Sequence, residues 1–411
     1  MKTLAVALAL VLAVLGGACS HRNDDTTPPP DTTGPGSVSS LDPGGGGVLF
    51  TVSGEALALT GYPFPPANPG DPAFVDGWEV KFTRLLTTID AITVHERPDS
   101  VAGDESITGA RVAEANGPWA VDLAHTDPRY LPGKGGPGEL AVPIAALSSQ
   151  NQVSGNPPFK TDGTRYAFGF DMVAASARAA NVNLDAAASA DYQQMIADGC
   201  VVLYVGTATF RGDRTDPACF PADHASWPDV VPFRLCFKSP TTYVNCQNPD
   251  NDPAGPFPNE EHERGLAFKD SRSVVAQITV HTDHPFWDSV LHDAPLHFDQ
   301  LAARAVGTGV DGGAVPVVTL EATRGVDYTA YTDALGHKLS WRYCIDPPTD
   351  VHPKLTGPMA FDSQTVPHAA GGDPASGLRD YYDFATYDQS TQGHLNSDGL
   401  CFVKRNYASP R

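Results

Sequence analysis

The sequence predicts a mainly β protein: two β-sandwich-like domains with short helical insertions, carried behind a disordered N-terminal tether. Three observations lead there. Gly (39) and Pro (37) are abundant among 411 residues, which suits many short strands joined by tight turns. Apolar residues recur in short, alternating, β-branched runs more than at helical spacing. A polar, turn-rich stretch, NPDNDPAGPFPNEEHERG (Asn248–Gly265), then separates a first β-rich domain, 48–247, from a second, 266–411.

The chain opens with MKTLAVALALVLAVLGGACS: one Lys, an unbroken apolar run from Leu4 to Leu15, then small residues. That run is too short to span a bilayer, so residues 1–18 read as a signal peptide. Cys19 after Gly16, Gly17 and Ala18 resembles the lipobox of bacterial lipoproteins. The resemblance implies that Cys19 becomes the first mature residue and carries a lipid. It places the protein as an exported, membrane-anchored lipoprotein of the cell envelope, on the outer membrane's periplasmic or surface face. Gly16 stands where that family prefers Leu, and an ordinary secretory signal cleaved nearby is the alternative. Ser20–Gly47 is almost devoid of apolar side chains and cannot offset chain entropy, so it reads as a disordered linker. Fully extended, it would reach about 90 Å.

Along the folded part, VLFTVSGEALAL reads as a strand with a break at Gly54. DGWEVKFTRLLTTIDAITVHE (Asp76–Glu96) reads as two strands. GELAVPIAALS, TRYAFGFDMVAA, CVVLYVGTATF and VVPFRLCF are further strand candidates. NVNLDAAASADYQQMIADG is the clearest helix, with Asn183 or Asp185 as cap and Gly199 as stop. ITVH occurs at 92–95 and at 278–281, and AVP follows each copy, at 141 and 314. The order hints at a duplicated unit, although chance repetition of strand vocabulary is the preferred account.

A formal charge of −21 argues against nucleic acid and against anionic lipid headgroups as partners. Beyond Cys19, six cysteines remain: Cys200, Cys219, Cys236, Cys246, Cys344 and Cys401. An even count without any CxxC pair points to up to three disulfides in an oxidising compartment. Proximity favours Cys200–Cys219, Cys236–Cys246 and Cys344–Cys401. Cys236 and Cys246 followed by QNPDN also resemble, over this short stretch only, the four-cysteine copper-binding lipoproteins of methanobactin-type operons.

The chemistry concentrates between Gln277 and Asp299, where four histidines stand among four aspartates. Val274–His281 alternates as a strand, with His281 on its polar face near the end. Asp283 can cap a helix running from His284 to Asp293, with Pro285 in its first turn. His284, Asp288 and His292 then fall at i, i+4 and i+8 on one face. A second helix buries Phe298, Leu301, Ala302 and Ala305 and leaves His297, Gln300 and Arg304 on its polar side.

A strand end and a helix face together can supply a metal site. His281, His284, Asp288 and His292 are the expected ligands, for zinc or copper(II). His95 is an additional ligand if the two ITVH strands approach. The plain alternative is a set of solvated histidines paired with nearby aspartates, and no HExxH pattern is present. GKGGPG and GTGVDG do not join a strand to a helix, and no nucleophile elbow or Walker sequence occurs. NPDND and DGLCF offer oxygens, but turn chemistry explains both. RDYYDFATYD concentrates aromatics that can bind sugar or protein, with core packing as the default. The functional expectation is an envelope-anchored metal-binding lipoprotein. The alternative is an envelope hydrolase, or a carbohydrate-active or adhesive surface protein, using the same histidines with an aspartate as acid and base.

Overall fold

The computed structural model describes residues 41, 43–101, 104–128, 130–217, 219–220, 222–251, 260–270, 273–287, 294–305, 315–325, 344–345 and 380–406. The signal peptide, Cys19, nearly all of the linker, Asp288 and His292 lie outside the described residues. The described chain is mainly β, arranged in two mixed sheets.

The smaller sheet orders its strands Gly393–Leu395, Val274–Val280, Val48–Ser53, Leu140–Leu147 and Leu131–Pro132. Val274–Val280 runs parallel to Val48–Ser53, with Phe50 opposite Ala276, and antiparallel to Gly393–Leu395, with Thr279 opposite His394. The larger sheet is built on Trp78–His95, flanked by Val202–Phe210 and Asp162–Met172. Phe402–Arg405 and Leu266–Lys269 also join it, through Thr241–Val244 and Asp162–Met172. Strand pairing in both sheets therefore bridges the segment 248–265. One apolar cluster draws on both sheets, and Phe50 stacks on Phe168 at 5.6 Å.

Local chemistry accounts for most elements. Trp78–His95 is one strand of 18 residues, not two. One of its irregular points is Ala91, at φ +47°, where Asp90 Oδ1 accepts the N–H groups of Ala91 and Gly117 at 2.8 Å. The expected break is absorbed as a bulge. Past Gly54 the chain turns helical, Glu55–Thr60, because Glu, Ala and Leu favour helix once the strand stops. Ala186–Asp198 is helical as expected. Asp185 accepts the Ala188 N–H at 2.7 Å, and left-handed Gly199 closes the helix.

All six cysteines are oxidised, but in other pairs: Cys200–Cys236, Cys219–Cys344 and Cys246–Cys401. The reason is strand register, which sequence proximity does not see. Leu203 lies opposite Cys236 in one antiparallel pair, which draws Cys200 to the same place. Val244 lies opposite Phe402 in another, which brings Cys246 to Cys401. Three disulfides fit an exported protein. No helix among the described residues is long and apolar enough to cross a membrane.

The two ITVH copies have different settings. One ends the long strand of the larger sheet, and the other ends a strand of the smaller sheet with a parallel neighbour.

Candidate metal centre

Val274–Val280 forms the expected strand, and its polar face is covered. Gln277 and Thr279 are buried, and Gln277 Nε2 donates to Glu139 Oε1 at 2.7 Å. The strand therefore delivers His281 to the interior, where the side chain is 9% exposed. The His281 N–H donates to the Gln392 carbonyl at 2.9 Å, which continues the ladder from Gly393–Leu395. Thr282 is fixed next, its hydroxyl 2.5 Å from the Tyr62 hydroxyl.

His284–Phe286 form a single 3-10 turn with Pro285 near its start. Of the helix expected from His284 to Asp293, the described part is this turn alone, after which Trp287 is extended (φ −61°, ψ 152°) and bridges to Leu296. Burial is the cause. Phe286 packs against Phe74 at 5.2 Å, while Trp287 stacks on His284 at 3.8 Å. An α-helical turn would carry one of these adjacent rings toward solvent.

What converges is His281, Asp283 and His284, whose potential ligand atoms all lie within 4.8 Å of one another. His284 Nε2 is 4.0 Å from Asp283 Oδ1. His281 and His284 are buried and Asp283 is half-buried. Hydrogen bonding assigns the ring protons. His281 Nε2 is 3.0 Å from the Ser397 carbonyl, which can only accept, so Nε2 carries a proton. Thr391 donates its hydroxyl to the Asp388 carbonyl at 2.7 Å, so its oxygen accepts from His284 Nδ1 at 2.6 Å. When the rings are neutral, each directs its lone-pair nitrogen, Nδ1 of His281 and Nε2 of His284, toward a carboxylate. Metal-binding histidines are typically held this way by their second nitrogen.

Two further residues escaped the sequence reading. His394 is 2% exposed, its ring 4.1 Å from His281 and 5.5 Å from His284. Glu55 places Oε1 3.7 Å from His281 Nδ1. No local pattern marks His394, which arrives only through strand pairing. The one signal for Glu55 is the abrupt Ser53–Gly54 stop in an apolar strand.

The electrostatics follow from burial. Desolvation pushes the Glu55 carboxyl up to about 7, against the pull of His281. Burial opposes charge on His281 too, but the Glu55 and Asp283 carboxylates outweigh it and hold the imidazole above its usual range. Glu55 and His281 titrate as a pair. Two imidazoles and a carboxylate match a three-ligand zinc-type site, and the Glu55–His281 pair could also exchange a proton.

Other candidates resolve differently. His95 lies on the larger sheet, with Nδ1 3.3 Å from the Gly109 carbonyl and from the Thr108 hydroxyl, and is not part of the group. Burial lowers its pKa. His297, expected at the surface, is 1% exposed, with Nδ1 3.7 Å from Asp76. Buried Asp76 also accepts the N–H groups of Phe298 and Asp299, so the helix start folds inward and buries Gln300 as well. Phe298, Leu301, Ala302 and Ala305 are buried as expected. NPDND meets Asn396, two residues before DGLCF, through Asn248 and Asp250, but Lys134 pairs with Asp250 and the turns hold themselves. In helix Tyr381–Gln389 the aromatics Tyr381, Tyr382, Phe384 and Tyr387 are all buried.

No protein-family model, no curated protein and no solved structure matches this chain.

Proposed function

We propose that this chain is an exported protein of the bacterial envelope, anchored by a lipid on Cys19. In this reading it binds one divalent transition metal, zinc or copper(II), through His281, Asp283 and His284. The observation that carries the metal reading is the pair of oriented imidazoles. Each holds one nitrogen on a fixed protein oxygen and turns the other toward a carboxylate beside it. The three disulfides support export, and the apolar leader with its lipobox-like cysteine supports the anchor.

A second reading, an envelope hydrolase, draws on the buried Glu55–His281 pair, 3.7 Å apart, as acid and base. One experiment separates them. Oxidised protein is equilibrated with zinc, dialysed, and assayed for metal content beside a His281→Ala/His284→Ala double variant. The metal reading expects one zinc per chain, lost in the variant. Equal metal content in both proteins, or none in either, defeats it, and turnover on ester or glycoside substrates would then favour the hydrolase. For the anchor, Cys19→Ser should move the protein from the membrane fraction to the soluble fraction. Persistence in the membrane fraction would refute the lipid.

A further inference from the structure

Trp78 and Phe210 stand opposite each other on antiparallel strands of the larger sheet, with their rings 5.4 Å apart. The chain after Phe210 folds back over that pair. The N–H groups of Arg211 and Gly212 donate to the Gly77 carbonyl at 2.8 and 3.1 Å, and the Cys219–Cys344 disulfide packs against both glycines. Phe220 thereby lies 5.2 Å from Phe210, and the 3-10 turn Ala222–Ser226 brings in His224 and Trp227, whose rings pack at 3.6 Å. The result is a recess walled by Trp78, Phe210, Phe220, His224 and Trp227. Trp78 and His224 are buried, whereas Phe220 and Trp227 are half-buried.

The occupant of this recess is a cation. Arg214 holds its guanidinium 4.4 Å from the Phe220 ring centre and 5.5 Å from that of Phe210. With it in place the recess admits not even a water-sized body, so a ligand enters only by displacing it. The hold is light. The Arg214 side chain is 44% exposed and its ion partner, Asp229, is 66% exposed, and such surface pairs contribute little in water. The surrounding charges favour a cation too. Asp213 and Asp216 flank Arg214 in the exposed loop, while Arg211, the loop's other cation, is matched by Glu79 at 3.6 Å. Behind the wall, the Asp299 carboxylate accepts the Trp78 Nε1–H at 2.8 Å and lies 3.7 Å from His224 Nε2. Its oxygens are turned to those ring nitrogens, so an incoming cation meets ring faces. A cation with no N–H to satisfy suits such a lining best.

We infer that this recess is a binding site, separate from the metal centre, for a quaternary ammonium group, and that Arg214 occupies it as a displaceable stand-in. Cages of aromatic rings, with Trp the strongest contributor, bind such groups through the ring quadrupole without hydrogen bonds. Ligand and Arg214 compete for one place, so the fraction of molecules with Arg214 withdrawn scales the apparent affinity.

The test titrates tetramethylammonium chloride into the full, oxidised chain by calorimetry, at an ionic strength fixed with sodium chloride. The parent is compared with Arg214→Ala, Arg214→Gln and Phe220→Leu. The inference expects one ion per chain, bound about 5- to 30-fold more tightly in the Arg214 variants. Phe220→Leu keeps an apolar side chain but loses the ring face, and should bind about 3- to 10-fold more weakly. Neopentyl alcohol, an uncharged molecule of similar shape, should not bind. The Gln substitution keeps the length of the side chain without its charge, so it serves if truncation to Ala unsettles the loop. Absence of saturable binding in the Arg214 variants, equal binding of neopentyl alcohol, or parent affinity in Phe220→Leu would each overturn the inference. Choline and glycerophosphocholine, titrated in the same way, tell a free solute from a lipid headgroup, and binding of either upholds the class.

Discussion

Replacing Cys246 and Cys401 together by Ser removes the cross-link that fastens the last described strand to the body. The disulfide closes a separation of 155 residues. Taken alone, chain entropy assigns that loop about 5 kcal/mol at 25 °C. Cys219–Cys344 overlaps it and already shortens the effective loop by roughly half. Because the dependence is logarithmic, the figure falls only to about 4.5 kcal/mol. Cross-links usually deliver less than this model, so the expected loss is about 2–4.5 kcal/mol. Set against a typical total of about 5–15 kcal/mol, the variant should stay folded with little margin.

The consequence is also local. Next to the cross-link, Leu395 and Gly399 exchange two hydrogen bonds at 2.9 Å, and that turn carries Ser397 and its carbonyl. Equilibrium urea unfolding under non-reducing conditions, followed by tryptophan fluorescence, measures the loss, with zinc calorimetry alongside. A change below about 1 kcal/mol would refute the reasoning, since it would mean the native pairing closes that loop without the sulfurs.

Two further outcomes follow from single contacts. Thr391→Val removes the oxygen that accepts from His284 Nδ1, so zinc affinity should fall about 10-fold or more with about 1 kcal/mol lost in stability; unchanged calorimetry would refute the orienting role. Burial raises the pKa of Asp122, although the Leu85 and Ala124 N–H groups pull it down. A raised folded pKa means stability is fully present below the unfolded value of about 4 and is lost as pH rises through the folded value. Both N–H groups bond to Oδ1, which Asp122→Asn retains. The Asn variant should therefore match the parent in melting temperature near pH 4 and exceed it at about pH 7. A constant gap across that range would contradict the sign.

The strands were legible because β-branched alternation is local, and helix Ala186–Asp198 because its cap and its stopping glycine are local. The cysteines declared their oxidation by number, but their partners depend on which strands become neighbours. The site divides the same way. His281 and His284 lie three residues apart and announce themselves. Glu55 and His394 come in through the parallel pairing of Val48–Ser53 and the antiparallel pairing of Gly393–Leu395, both long-range events. The misread helix after His284 has a related cause. Spacing at i and i+4 suggested one polar face, while burying Phe286 and Trp287 together required the chain to extend. His297 looked like surface because its partner, Asp76, lies far upstream.

The most direct measurement is anomalous diffraction at the zinc edge from crystals of the oxidised protein equilibrated with zinc. The account predicts one strong peak within about 2.0–2.2 Å of donor atoms on His281, Asp283 and His284. Those imidazoles in place with density between them but no anomalous signal, or zinc only at scattered surface carboxylates, would contradict it.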